Sequence, residues 1–162
     1  RAQLDTVSGS ILNIRVGGND LSHAFGLRRP ANRTIYDLRP VADILIDIVA
    51  AFGTQYVVSG PVWEYYSGEG WEEGLRREME LDLLNGFTGK TVIHPNQIPV
   101  VNEMLRVSQR DYADARAILN WDTGSGSLVS ASEDGGRMNE YNTHSRWARR
   151  IVLRAERYGV RA

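Results

Sequence analysis

The sequence predicts an α/β fold with parallel strands, and one alternating pattern carries this prediction. Three short apolar runs, at residues 11–16, 55–59 and 89–93, are separated by segments with helical spacing at 40–52 and 72–85. Connections of this length favour parallel βα units, because antiparallel neighbours are usually joined by tight turns. Helical patterns dominate after the third run, so a helical extension is expected to follow the βα units.

The two helices between the predicted strands have clear start and stop signals. In the first, Pro40 suits the opening turn and Gly53 the end, and apolar residues recur at intervals of three and four. In the second, Leu75, Met79 and Leu83 lie along one side. Both helices are therefore expected to pack an apolar face against the sheet.

The first predicted strand has one polar face. Leu12, Ile14 and Val16 alternate with Asn13 and Arg15. A strand buried on both sides is usually apolar throughout. The polar face either lines a polar interior or belongs to a strand that is covered on one side only.

Helices and a linker are expected after the third strand. Residues 99–106 and 108–121 are predicted as helices, the second opened by a capping box at Ser108. Residues 122–136 are rich in Gly and Ser, which is typical of a flexible linker or mobile lid, and an amphipathic helix follows at 143–158. These segments predict a main domain, a linker and a C-terminal helical lid or extension, at residues 1–121, 122–136 and 137–162.

Composition excludes several classes of function. The 162 residues, 42% of them hydrophobic, suffice for one globular domain with a real core. A net charge of −1 gives no field that would favour nucleic acid or a membrane surface, so neither is expected as a partner. The chain has no cysteine, which excludes disulfides and thiolate chemistry and is compatible with a cytoplasmic location.

The strongest candidate site follows the first predicted strand. There Gly17 and Gly18 form a turn that presents Asp20 at its tip. Glycines let a backbone approach a bound group closely, and the carboxyl ends of parallel strands are where α/β folds bind ligands. Asp20 is therefore a candidate metal ligand. The competing interpretation is that Asp20 only caps a helix that begins near Leu21.

Two further clusters have two interpretations each. A loop close to Asp20 in sequence contains Arg28, Arg29 and Arg33. These arginines either hold an anionic substrate or form a solvated surface. The loop after the second strand contains Trp63, Tyr65 and Tyr66. The three rings either shape a pocket wall or pack the loop itself.

The order and spacing of four motifs resemble one enzyme family. The motifs are Gly17-x-x-Asp20-Leu21, Gly60-Pro61, Gly89-Lys90-x-x-Ile93-His94-Pro95-x-Gln97 and Gly136-Arg137-Met138. Together they resemble the C-terminal half of the citrate lyase beta-subunit and malyl-CoA lyase family. Within that family the chain is most similar to the C–C bond lyases of stress-response, tellurite-type operons. The resemblance covers nearly the whole chain, and the segment 90–97 is its most specific part.

The resemblance implies a TIM barrel of which this chain carries the last three parallel strands and the helical C-terminal extension. A complete (β/α)8 barrel needs roughly 200 residues or more. The chain also begins at Arg1 without a methionine. A three-stranded piece would leave an open strand edge. We therefore expect the chain to be part of a longer protein.

The resemblance also implies a magnesium site and a reaction. In the family, the Asp of the first motif joins a Glu from the preceding strand in holding Mg²⁺, and Asp20 matches that Asp. Cleaving a C–C bond beside a carbonyl leaves an enolate, whose charge a hard divalent cation neutralises. The implied activity is a magnesium-dependent lyase or aldolase acting on a small oxo-acid or an acyl-CoA thioester. The partner Glu and a substrate-binding arginine would precede Arg1, and Asn19 stands where the family often has Glu.

Further site residues follow from the same resemblance. Arg15, Gly17, Gly18 and His94 are expected to line the substrate site. The family's malyl-CoA lyases meet the pantetheine arm at an Asp-Gly-Pro turn, which places Gly60 and Pro61 in the binding site, although Ser59 replaces the Asp.

Glu140 matches an acidic lid residue that in some members reaches the site of a neighbouring subunit. This match implies a homo-oligomer in which Glu140 handles a proton as a catalytic residue. The competing interpretation is an ordinary surface carboxylate beside a helix.

Two alternatives to a catalytic lyase stay open. The Asn19 and Ser59 departures are compatible with a catalytically inactive barrel that serves as a binding or assembly subunit. The other alternative is that the chain forms an independent α/β domain.

Overall fold

A computed structural model describes residues 2–121, 124 and 129–161. The chain divides into two compact units, Arg1–Met104 and Leu105–Ala162. The first unit contains the sheet and the candidate site, and the second contains the C-terminal helices. Among the helices of the described residues, none is both long and apolar enough to cross a membrane.

The first unit is built on a three-stranded parallel sheet. Its strands are β1 (Ile14–Arg15), β2 (Val58–Gly60) and β3 (Gly89–Lys90), in the order β1-β2-β3. The sheet confirms the predicted parallel βα arrangement. Each strand is shorter than its apolar run, and Leu12 lies outside β1 with a 90% exposed side chain.

The described residues of the first unit also form five α-helices. They are α1 (Ala2–Asp5), α2 (Gly18–Ala24), α3 (Arg39–Phe52), α4 (Trp71–Leu84) and α5 (Gln97–Met104). The predicted helices at 40–52 and 72–85 agree with α3 and α4 to within one residue at each end. Helix α5 begins two residues earlier than predicted, because Pro99 is tolerated within a first helical turn.

A single apolar cluster joins the sheet to α3. Its buried members are Val16, Ile35, Val41, Leu45, Val58 and Phe87. Burying an aliphatic side chain of this size stabilises a fold by about 1.5–3 kcal/mol. The cluster therefore fixes β1 and β2 against α3, and with them the turns at the carboxyl ends of these strands.

The second unit is built on two long helices, α6 (Gln109–Leu119) and α7 (Tyr141–Tyr158). Between them lies a hairpin of β5 (Val129–Ala131) and β6 (Met138–Glu140), and a parallel pair joins β4 (Val107–Ser108) to β7 (Val160–Arg161). The unit's buried apolar residues are Val107, Ala115, Ile118, Ala148 and Ile151.

The predicted helix start at Ser108 is confirmed. Ser108 Oγ accepts a hydrogen bond of 3.0 Å from the backbone N–H of Asp111, as a helix cap requires.

Residues 122, 123 and 125–128 of the predicted linker lie outside the described residues. The remaining part contains β5, and Arg137 links the hairpin to α6 through Asp111 at 2.8 Å and Asp114 at 2.6 Å.

Candidate functional site

The turn between β1 and α2 places Asp20 inside the first turn of a helix. Helix α2 begins at Gly18, and Gly17 occupies the N-cap position. The interpretation of Asp20 as the cap of a helix starting near Leu21 is therefore wrong. A Cβ atom on Gly17 would collide with Asp20 Oδ2, so the missing side chain lets the carboxylate fold back against the turn.

Gly18 brings the turn after β1 against the turn after β2. A Cβ atom on Gly18 would lie 2.5 Å from Pro61 Cβ and 2.6 Å from Ile35 Cδ1, which is closer than real contacts. Neither neighbour is the flexible end of a long side chain. Gly18 and Pro61, both predicted as site residues, are thus in direct packing contact.

Gly18→Ala is expected to lower the free energy of unfolding by about 1–3 kcal/mol, the usual cost of overpacking. Chemical denaturation of the wild-type and variant proteins measures this loss. The matched control is Gly9→Ala, since no atom lies within 4 Å of the Cβ position at Gly9. Equal midpoints for the two variants would contradict the close packing at Gly18.

Two cavities flank the turn that carries Asp20. The smaller, of about 340 Å³, is lined by residues at or just after the ends of all three strands: Arg15, Val16, Gly17, Gly18, Asn19, Asp20, Val62 and Thr91. The larger, of about 440 Å³, is mostly apolar and is lined by Ile14, Arg15, Val16, Gly17, Asp20, Leu21, Ile48 and Phe52. Arg15 and Asp20 line both cavities, so one guanidinium and one carboxylate are available to a ligand in either.

The strand register shows which residues share a face of the sheet with Arg15. Arg15 pairs with Ser59, and Ser59 pairs with Gly89, so these three share one face. Gly60 and Lys90 form the next pair and face α4, where a Cβ atom on Gly60 would lie 2.6 Å from Asp82 Oδ2. Gly60 is not among the lining residues of either cavity, and its missing side chain leaves room for Asp82.

The other predicted site residues have separate surroundings. His94 stacks on Tyr66 with ring centroids 4.2 Å apart, and its Nδ1 accepts a 3.2 Å hydrogen bond from the backbone of Asn96. It is not among the lining residues of either cavity. Glu140 lies in the second unit, where its backbone N–H donates to His144 Nδ1 at 3.0 Å and its Oε2 accepts from Thr143 at 3.2 Å.

The donor set at the turn fits one part of a magnesium site. Among the described residues there is no group of three or more His, Cys, Asp or Glu side chains that could hold a metal ion. Magnesium usually keeps several waters and takes only one or two carboxylates from a protein. Asp20 therefore fits as one ligand, and a second carboxylate would have to come from outside the described residues.

A buried ion cluster behind the sheet was not predicted from the sequence. We use this name for Arg29, Glu78, Asp82 and Lys90, whose side chains are at most 2% exposed. Lys90 Nζ lies 2.7 Å from both Glu78 Oε1 and Asp82 Oδ2, and Arg29 Nε lies 2.9 Å from Glu78 Oε2. The cluster holds β3, α4 and the loop that contains Arg29 together.

Hydrogen bonds from outside the cluster complete it. The Tyr36 hydroxyl donates to Asp82 Oδ1 at 2.7 Å, and the backbone N–H of Ile35 donates to Glu78 Oε2 at 2.7 Å. Burial raises the pKa of Asp82, and the Lys90 ammonium opposes that shift. Burial and the charge of Asp82 raise the pKa of Tyr36, which keeps this phenol protonated as a donor.

Neither interpretation of the three-arginine loop fits Arg29. Its side chain is 1% exposed, and its guanidinium lies over the Trp63 ring, 5.2 Å from the centroid. Arg28 and Arg33 are instead exposed, and they form ion pairs with Glu64 and Asp37.

The three aromatic residues of the loop after β2 also differ in their surroundings. Trp63 is fully buried and donates to the carbonyl of Trp71 at 3.0 Å. Tyr65 donates to the carbonyl of Arg29 at 3.0 Å, so both rings pack the loop. Tyr66 stays 43% exposed.

Comparison with known proteins agrees with this fold. Across residues 1–160 the chain matches the model of the family described as C–C bond lyase of the TIM-barrel fold. It is 38% identical over 74 residues to an L-malyl-CoA/β-methylmalyl-CoA lyase of Cereibacter sphaeroides, a match that covers 44% of this chain and 22% of that lyase. A second lyase of the same species is 36% identical over the same length.

One solved structure extends the comparison to most of the chain. CitE from Mycobacterium tuberculosis, in complex with magnesium, acetoacetate and coenzyme A, superimposes with a TM-score of 0.62 at 28% identity. The match covers 90% of this chain and 52% of CitE, so the chain spans about half the length of that structure. These findings confirm the resemblance seen in the sequence: the chain belongs to the C–C bond lyase family of the TIM-barrel fold.

Proposed function

We propose that this chain is the C-terminal part of a magnesium-dependent lyase that makes or breaks a C–C bond beside the carbonyl of a small oxo-acid or acyl-CoA thioester. The observation that carries the proposal is the position of Asp20. A glycine turn holds its carboxylate at the carboxyl end of a parallel strand, where two cavities meet. The magnesium, acetoacetate and coenzyme A bound to CitE support the choice of ligands.

The residues of this chain have distinct tasks in the proposed reaction. Asp20 would hold Mg²⁺ through a carboxylate oxygen. The bound cation would supply Lewis-acid stabilisation of the negative charge that develops on a carbonyl oxygen. Arg15 offers a guanidinium to a substrate carboxylate, and a planar guanidinium suits that group. Gly17 and Gly18 leave space for the substrate to approach the backbone of the turn.

Three other predicted residues belong to the same proposal. Gly60 ends β2, Pro61 follows it directly, and both would contact the acyl or pantetheine part of the substrate. His94 would line the outer rim of the site beside Tyr66. Glu140 would move a proton as part of the segment 137–162, which we propose to be a lid of a cytoplasmic homo-oligomer.

The edge of β1 supports the idea of a longer barrel. Within the described residues β1 pairs with β2 on one side only. The larger cavity beside it is lined by Ile14, Leu21, Ile48 and Phe52, which are apolar. We propose that preceding strands of the barrel cover this edge and supply the second carboxylate, and that residues 1–121 form the main domain, followed by the linker at 122–136.

Turnover assays on the intact protein test the proposed function. A panel of oxo-acids and acyl-CoA thioesters, including malyl-CoA, is incubated with Mg²⁺ and the products are analysed by mass spectrometry. We expect C–C cleavage of at least one compound, its loss with EDTA and its return when Mg²⁺ is added in excess. A protein that leaves the whole panel intact would instead support the inactive barrel, with which the neutral Asn19 and Ser59 are compatible.

A further inference from the structure

The smaller cavity contains two buried polar atoms without a partner. Asn19 Oδ1 and Thr91 Oγ1 have almost no contact with solvent and form no hydrogen bond within the described part of the chain. Both residues line this cavity, one from the first turn of α2 and one directly after β3. Buried polar groups are hydrogen-bonded in the great majority of cases, so two exceptions in one cavity require an explanation.

Asn19 Oδ1 and Thr91 Oγ1 differ from the third buried atom without a hydrogen bond in the described residues. The described residues contain a third buried side-chain atom without a hydrogen bond, Arg29 Nε. That atom lies 2.9 Å from Glu78 Oε2 in an ion pair, so its charge is compensated. The two uncompensated atoms therefore both belong to the cavity that Asp20 lines.

The backbone holds both side chains in place. The backbone N–H of Thr91 donates to the Gly60 carbonyl at 3.1 Å, which continues the β2–β3 ladder by one residue. Asn19 lies within α2, between Gly18, which packs on Pro61, and Asp20. Neither residue is on a loose loop, so the backbone positions of both are fixed beside the cavity.

The chemistry of the two atoms selects the group that fits them. An amide oxygen only accepts hydrogen bonds, whereas a hydroxyl both donates and accepts. A ligand hydroxyl offers both kinds of partner, a donor for Asn19 Oδ1 and an acceptor for the Thr91 hydroxyl. A carboxylate or ketone oxygen cannot donate, and would leave Asn19 without a partner.

We propose that Asn19 and Thr91 form a polar subsite that binds a hydroxyl group of the substrate and selects hydroxylated substrates over their deoxy analogues. The subsite rests on the proposed function for the identity of the substrate, but its existence has a consequence for the free protein. An unpartnered buried hydroxyl destabilises the fold. Thr91 therefore lowers stability in exchange for ligand selection.

The first test measures the stability of the free, intact protein. Thr91→Val removes the hydroxyl at nearly constant shape, and is expected to raise the thermal midpoint by about 2–4 °C. The matched control is Thr88→Val at the other end of β3, whose hydroxyl donates to the Val58 carbonyl at 3.4 Å. That control is not expected to raise the midpoint. A midpoint that does not rise in Thr91→Val would overturn the subsite.

The second test measures selectivity with malyl-CoA and succinyl-CoA, which differ by one hydroxyl group. Binding is followed by calorimetry in EDTA, which prevents turnover and removes metal–oxygen contacts. Wild-type protein is expected to bind malyl-CoA about tenfold or more tightly than succinyl-CoA. Thr91→Val and Asn19→Ala should reduce that preference to about threefold or less, while the affinity for succinyl-CoA stays the same.

Failure of the subsite can be told apart from failure of the proposed function. A wild-type protein without the preference, or variants that keep it, would overturn the subsite even where magnesium-dependent turnover is found. A loss of Mg²⁺ affinity in Thr91→Val would also overturn it, because the hydroxyl would then be a metal ligand. A protein with the expected selectivity and midpoint, but without turnover of any compound, would retain the subsite and lose the lyase proposal.

Discussion

Asp20→Ala is expected to remove magnesium-dependent turnover and to weaken Mg²⁺ binding to the intact protein by at least about 100-fold. Changes to residues that only support metal ligands already cost about 10- to 100-fold in affinity or activity. Asp20 is the one carboxylate among the residues that line the two cavities. Its loss would leave this part of the site without an anionic ligand, since Arg15 is a cation and Asn19 is neutral. Isothermal titration with Mg²⁺ measures the effect.

The matched control for this experiment is Asp47→Ala. Asp47 is an exposed carboxylate on α3 and lines neither cavity. The control has the same change in charge, so it separates a specific metal ligand from a general electrostatic effect. Identical Mg²⁺ affinities for wild type, Asp20→Ala and Asp47→Ala would remove the central observation behind the proposed lyase.

Lys90→Met is expected to destabilise the protein by about 3–5 kcal/mol, the usual cost of breaking a buried ion pair by removing one partner. Methionine approximates the length of the lysine side chain but has no charge. Asp82 would keep only the hydrogen bond from Tyr36, and Glu78 would keep Arg29 and the backbone N–H of Ile35. Chemical denaturation of the intact protein measures the loss.

An exposed ion pair provides the control for Lys90. Arg39 and Asp43 lie 2.8 Å apart on α3 with side chains that are 85% and 58% exposed. Arg39→Met should cost less than about 1 kcal/mol, because solvent screens such pairs. The double variant Lys90→Met/Asp82→Asn should recover part of the loss, since the second buried charge is removed as well. A Lys90→Met protein as stable as Arg39→Met would show that the cluster contributes little.

The elements that sequence patterns predicted well depend on short-range information. Helix α3 has apolar residues at helical spacing and begins and ends near Pro40 and Gly53, and the structure agrees to within one residue. Gly17 and Gly18 were predicted beside Asp20 because all three follow one strand, whereas Arg15 was implied by the family resemblance, and all four line the smaller cavity. Local spacing was sufficient for α3 and for the two glycines.

The buried ion cluster could not be predicted from spacing alone, although the sequence contains one sign of it. Glu78 and Asp82 lie on the same face of α4 as Leu75 and Met79, and all four are buried. Two carboxylates on an apolar helix face indicate buried cations. Their partners lie on other elements, so the spacing contains the two carboxylates but not their pairing.

The role of Thr91 could not be predicted at all. Whether a buried atom lacks a hydrogen bond depends on all of its neighbours in the fold, and no spacing within the chain encodes them. Similarly, the division at Met104 and Leu105 depends on packing between elements that are distant in sequence.

The buried ion cluster has one consequence for the chemical reactivity of the chain. Lys90 is the single lysine in the 162 residues, and its side chain is 0% exposed. Reagents that acylate primary amines therefore find no accessible lysine in the folded form of this chain. Modification of Lys90 would report unfolding of the first unit, and enzymes that acetylate or ubiquitinate lysines would have access to this residue only after that unfolding.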